Sequence, residues 1–85
     1  MEQSFPYYLV KKINIQDAAK AQGDEALRDM VIRLTEAQEG HGRIIIRWSG
    51  IPMENMVMAE ADTQDRCRQL LKEFLQWMEE RGYSR

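Results

Sequence analysis

The chain has 85 residues and a formal charge of -2 from 12 basic and 14 acidic side chains, a size that holds one small domain over residues 1–85 and excludes multidomain enzyme architectures. Its 44% hydrophobic and 31% charged content belong to a chain that collapses, not to a disordered one. With a pI near 5.4 there is no global basic field to draw it onto phosphate backbones or anionic lipid.

The first segment, Phe5-Pro6-Tyr7-Tyr8-Leu9-Val10-Lys11-Lys12-Ile13, is aromatic and β-branched, with Pro6 where a missing N–H harms a strand least. It predicts a strand from Tyr7 to Ile13. The rival reading is a short helix capped by Ser4 with Pro6 in its first turn. Asn14 is then the expected N-cap of a long helix whose stripe is Ile15, Ala19, Ala26, Met30, Leu34 and Ala37. Gly23 interrupts it, so a kink, or a restart capped by Asp24, is expected there. Asp24 with Arg28 and Asp29 with Arg33 have the spacing of favourable pairs on the outer face.

Gly40-His41-Gly42 ends that helix, and the period changes. Arg43-Ile44-Ile45-Ile46-Arg47-Trp48 predicts a second strand, Ser49-Gly50-Ile51-Pro52 a turn, and Met56-Val57-Met58-Ala59-Glu60-Ala61 a third strand that closes a hairpin. Asp62 or Thr63 caps a last helix in which Cys67, Leu70, Leu71, Phe74, Trp77 and Met78 form a wide apolar stripe ending at Gly82.

The order β-α-β-β-α predicts a single α+β domain, a three-stranded sheet in the spatial order 1-3-2 with two helices on one face, because the first crossover must be right-handed and the third strand follows by a hairpin. This is a ferredoxin-like arrangement lacking its last strand, and as a fold analogy it fixes no function. No motif carries a family resemblance.

Strand alternation then sends Ile44, Ile46 and Trp48 to the core and Arg43, Ile45 and Arg47 to an open sheet face. Depending on register, that face also takes Met56, Met58 and Glu60, or Tyr8, Val10 and Lys12. An apolar residue between two arginines is too apolar to be left in water, so the expected partner-binding residues are Tyr8, Arg43, Ile45, Arg47 and Met58, and the expected occupant is a protein partner or a second copy as a homodimer. The uncovered first strand is a second place for pairing, opposed by Lys11 and Lys12.

The candidate chemistries are thin. A catalytic His41, the sole histidine, would need an oriented nucleophile or carboxylate, and the sequence identifies neither; beside two glycines at a helix end it reads as a residue facing free carbonyls. Cys67 falls on an apolar stripe, where a thiol is a small buried hydrophobe, and Arg66 and Arg68 point away from it. One Cys and one His cannot make a structural zinc site. Glu54, Glu60, Asp62 and Asp65 lack the calcium-loop pattern, and the glycines around His41 precede a strand and open no helix, so no metal, nucleotide or other cofactor is expected. The stripe of Phe74, Trp77 and Met78 reads as core in preference to a partner groove.

A lone cysteine, which can form no internal disulfide, and no apolar run near the ~18 residues that span a bilayer point to a cytoplasmic protein with no membrane partner, while the six methionines fill gaps either in a core or on an adaptable binding surface. The expected function is a small non-enzymatic protein-protein interaction module: an inhibitor, immunity-type protein, adaptor or regulator of the kind phages also carry. A nucleic-acid-binding regulator using Arg43, Arg47, Lys11, Lys12 and sheet aromatics is the first alternative. A small enzyme of unrecognised type is the second.

Overall fold

A computed structural model describes residues 5–48 and 55–83. The elements run β1 (Tyr7–Ile13), α1 (Ala18–Gln22), α2 (Glu25–Ala37), β2 (Gly42–Arg47), β3 (Asn55–Ala61) and α3 (Gln64–Glu80). They form an α+β domain whose antiparallel pairs give the sheet order β1-β3-β2. The first segment is a strand, not a short helix: its β-branched and aromatic residues pair along the whole of β3, from Tyr7 opposite Ala61 to Ile13 opposite Asn55. The turn expected at Ser49–Pro52 lies outside the described residues.

The predicted long helix is two helices, so the order is β-α-α-β-β-α. Asn14 is not its cap. Ile15, only 1% exposed, is a plug in the β1–α1 connection, and Gln16 N–H donates to the Tyr83 carbonyl at 2.9 Å, a bond that draws this stretch out of helical geometry. Asp17 then turns the chain through a left-handed residue (φ 54°) and caps α1 by accepting from Lys20 N–H. After Gly23 the helix restarts under Asp24, whose carboxylate accepts from Ala26 N–H. The buried stripe follows this broken geometry, with Ala21, Leu27 and Leu34 inside while Ala19 and Ala37 are exposed.

β1, β2 and β3 show one face to the helices. Ile13, Ile44, Val57, Ala59 and Ala61 are buried there, and α3 lays Cys67, Leu70, Phe74 and Met78 across them at helical spacing. The small residues of β3 permit close approach. Gly42 is the extreme case: a Cβ there would lie 3.0 Å from the Glu60 carbonyl oxygen, 3.1 Å from Ala61 Cβ and 3.2 Å from Leu70 Cδ1. α2 flanks β2, where Thr35 Oγ1 accepts from the edge amide of Ile44 at 3.3 Å.

Thr63 caps α3 by accepting from Arg66 N–H, and Gly82 (φ 80°) ends it: Tyr83 N–H donates to the Met78 carbonyl and Gly82 N–H to that of Glu79. This double bond pattern turns Tyr83 inward, where its hydroxyl donates to Asp24 Oδ2 at 2.5 Å, with Arg81 Nη2 3.5 Å from the same oxygen. Asp24 is thus committed to Ala26, Tyr83 and Arg81, and not to the Arg28 that its spacing suggested.

The Tyr83 hydroxyl holds the Asp24 carboxyl below its ordinary value of 3.8, and the same bond, with burial, pushes Tyr83 above its ordinary 10.0. A depressed carboxylate contributes stability above 3.8 that is lost as pH falls through the folded value; a raised phenol contributes below 10.0 and loses it as pH rises through its own. The wild type is therefore expected to show a stability plateau between those limits. In Tyr83→Phe, chemical denaturation across pH should show a lower plateau and a shallower acid limb. An acid limb identical to wild type would show that this bond does not couple Asp24 to folding.

Candidate functional site

The open sheet face is built by register. β1, β3 and β2 bring three cross-strand rows together: Tyr8, Glu60 and Arg43; Val10, Met58 and Ile45; Lys12, Met56 and Arg47. All five residues singled out from sequence, Tyr8, Arg43, Ile45, Arg47 and Met58, share this face. The two sets left open by register are both on it, because β3 lies between the other strands. The middle row is wholly apolar, with Met58 and Ile45 half-buried against each other and Val10 exposed.

The charge is arranged around that row. Arg43 Nε donates to Glu60 Oε2 at 2.8 Å, so the Tyr8 row carries an internally neutral pair. The opposite row presents Lys12 and Arg47 on either side of Met56. A face with this pattern can take an apolar anchor at its centre and acceptors along the Lys12–Arg47 side.

His41 has the carboxylate partner that its sequence neighbourhood did not reveal. Asp62 Oδ2 lies 2.7 Å from His41 Nδ1, and since a carboxylate only accepts, Nδ1 carries the proton. The side chain is therefore not a helix-end carbonyl cap. The backbones of the same residues are joined, with Asp62 N–H donating to the His41 carbonyl at 2.9 Å. With side chains 59% and 48% exposed, the pair is a surface clip between the turns entering β2 and leaving β3.

Cys67 is buried, as its stripe implied, and burial pushes its thiol up. Its arginine neighbours are engaged elsewhere: Arg66 Nη1 donates to Gln38 Oε1 at 2.7 Å and Arg68 Nη2 to Asp65 Oδ1 at 2.6 Å. A disulfide reagent such as Ellman's is expected to label the native protein only at the rate of opening, and at once in denaturant. Fast labelling of the native protein would mean that the thiol is accessible.

Glu60, Asp62 and Asp65 each face a basic side chain, and among the described residues no group of three His, Cys, Asp or Glu could hold a metal. Glu54 lies outside the described residues. Trp77 is half-buried, stacked near Phe74 with centroids 6.3 Å apart, and Arg81 sits over its ring at 4.9 Å. No described helix is long and apolar enough to cross a membrane.

No family model matches the chain. Its sequence is nonetheless similar to part of a known group of proteins. It is 32% identical over 66 residues to the phosphoglucosamine mutase of Geobacillus thermodenitrificans (strain NG80-2), a stretch that takes in 78% of this chain and 14% of that protein. Over 65 residues it is 34% identical to the phosphoglucosamine mutase of Bacillus subtilis (strain 168), and over 63 residues 36% identical to that of Bacillus cereus (strain B4264); these cover 76% and 74% of this chain and 14% of each relative. The chain thus spans about one seventh of the length of the curated relatives it matches. It is similar to a domain-sized piece of an enzyme.

Three features of the described site escaped sequence reasoning. The His41–Asp62 clip, the Asp24–Tyr83 bond and the Gln38–Arg66 bond all join residues far apart in the chain. The one sequence signal was Gly82, whose place after the last apolar turn announces a helix end that turns the next residue back.

Proposed function

We propose that the chain is a binding module without a reaction centre of its own, acting through the open sheet face on a protein partner, as inhibitors, adaptors and small regulators do. The apolar row Val10–Met58–Ile45, bracketed by charged rows, carries this reading. A small chain that leaves such a row uncovered retains apolar area for a partner to bury.

The test is the pair Ile45→Asp and Arg47→Glu in one variant. Retained material from a native lysate should be lost while circular dichroism and Tm stay near wild type, because both side chains lie on the face away from the helices. Unfolding of the variant, or unchanged capture, would count against the face. Capture that disappears with nuclease and falls steeply with salt would support the nucleic-acid reading instead.

The similarity favours one second reading, that the module binds the phosphorylated amino sugar named in its relatives. Arg47 and Lys12 would then meet the phosphate. Titrating the labelled chain with phosphoglucosamine, with glucosamine as control, tests it: saturable amide shifts at Lys12 and Arg47 with the phosphorylated sugar alone would support it, and their absence would overturn it.

A further inference from the structure

The open face is one surface; the outer edge of β1 is another. Among the described residues β1 ends the sheet, with no strand beside its outer backbone edge. Edge strands are ordinarily kept short, charged or covered. This one is seven residues long, and Tyr7, Tyr8 and Val10, at 45%, 65% and 46% exposure, are three of the four large hydrophobics exposed among the described residues. A strand laid beside it would gain main-chain bonds and side-chain contacts on both faces.

Beneath the edge, on the helix side, Lys11 and α3 line an open groove. Leu71 and Leu75, both half-buried, line it together with Lys11, Arg68 and Lys72, and Glu79 and Glu80 line it at the C-terminal end of α3. An added strand would send alternate side chains into this groove and the others onto the side of Tyr8, Val10 and Lys12.

The charges choose the occupant. The segment Tyr7–Ile13 contains two lysines and no carboxylate. A second copy paired along β1 would gather four ammonium groups into two adjoining strands, with carboxylates nearby only at the Glu79–Glu80 end of the groove. A strand bearing carboxylates meets Lys12 on one face, or Lys11 and Lys72 on the other, whichever phase it adopts. We propose that the β1 edge and its groove bind an extended acidic segment of a partner protein by strand addition, with apolar residues alternating with Asp or Glu. It differs from the open-face reading in using the edge amides and the groove beside α3, and it shares with that face only Tyr8, Val10 and Lys12.

The experiment is a titration of the isotope-labelled chain, followed by NMR, with a seven-residue capped peptide alternating valine and glutamate, beside its valine–lysine counterpart. Saturable shifts in the amides of Tyr7–Ile13 and the methyls of Leu71 and Leu75 are expected with the glutamate peptide, weakening by about tenfold or more in Lys11→Glu/Lys12→Glu and with added salt. Should that variant unfold, Lys72→Glu, on the exposed side of α3, serves in its place, with a smaller loss in the same direction. Equal binding of the lysine peptide, shifts confined to Ile45 and Met58, or an unperturbed spectrum at roughly millimolar peptide would overturn the proposal. So would sedimentation showing a dimer whose contact maps to β1.

Discussion

Phe74→Ala is expected to destabilise the domain by about 3–5 kcal/mol, the range for removing a buried phenyl ring. Phe74 is fully buried and heads the largest enclosed side chains, on the buried stripe of α3 with Cys67, Leu70 and Met78 and beside the half-buried ring of Trp77. The cost has two parts, the lost transfer of the ring out of water and the cavity left where Leu70 and Met78, held on the same stripe, cannot close in. A domain of this size has a total stability of the same order, about 0.05–0.15 kcal/mol per residue, so the variant should be largely unfolded near physiological temperature. Thermal and urea melts by circular dichroism measure it. Phe74→Leu should recover most of the loss because it keeps an apolar side chain in the space. A cost below about 1 kcal/mol for the alanine variant would mean that the helix–sheet interface is not packed around this ring.

The second large effect comes from adding an atom. Gly42→Ala places a Cβ within 3.0–3.2 Å of three neighbours, of which the Glu60 carbonyl is backbone and Ala61 Cβ is fixed to it. Only the Leu70 end is free to shift. Gly42 pairs with Ala61 at the beginning of β2, so relief requires opening the β2–β3 ladder or tilting the first turns of α3 away from the sheet. Overpacking of this kind costs about 1–3 kcal/mol. Urea denaturation should show the loss, and hydrogen exchange should place it in faster opening of the amides around Gly42 and Ala61. Gly40→Ala makes the comparison: nothing lies within 4 Å of a Cβ there, and its cost is backbone strain at φ 86°, without the loss of ladder protection.

Both predictions depend on elements that periodicity alone made readable. The isoleucine run between Arg43 and Arg47 marked β2, the Met56–Ala61 segment after turn residues marked β3, the Cys67–Met78 stripe marked α3, and the handedness of a crossover with a following hairpin gave the 1-3-2 order. Asp24 was readable as a restart because a carboxylate after a helix-breaking glycine is a capping signal whatever surrounds it. What remained hidden was set by tertiary contact. Ile15 fits a helical stripe by spacing, but the fold uses it as a plug and ties Gln16 to Tyr83, so the helix begins only after Asp17. His41 found a carboxylate on the far side of the hairpin, a pairing that exists only once β2 and β3 are in register. The five open-face residues could be grouped from alternation within strands. Their order in rows could not, since it needs the offset of β1 on β3.

The strand order also governs when the molecule can assemble. β3, which follows β1 and β2 in the chain, is the strand that both earlier strands require, and the α3 ring that seals the layer emerges after it. Until residue 61 is available, β1 and β2 have no neighbour in the sheet and the Tyr7–Val10 stretch has nothing to pair with. Nascent chains stopped before that point should therefore remain open to protease and to chaperone capture, while the addition of β3 and α3 converts the whole domain in one cooperative step. In a sheet wired this way β1 and β2 have no folded state of their own to fall back on, so damage within β3 or α3 is felt from the first strand onward.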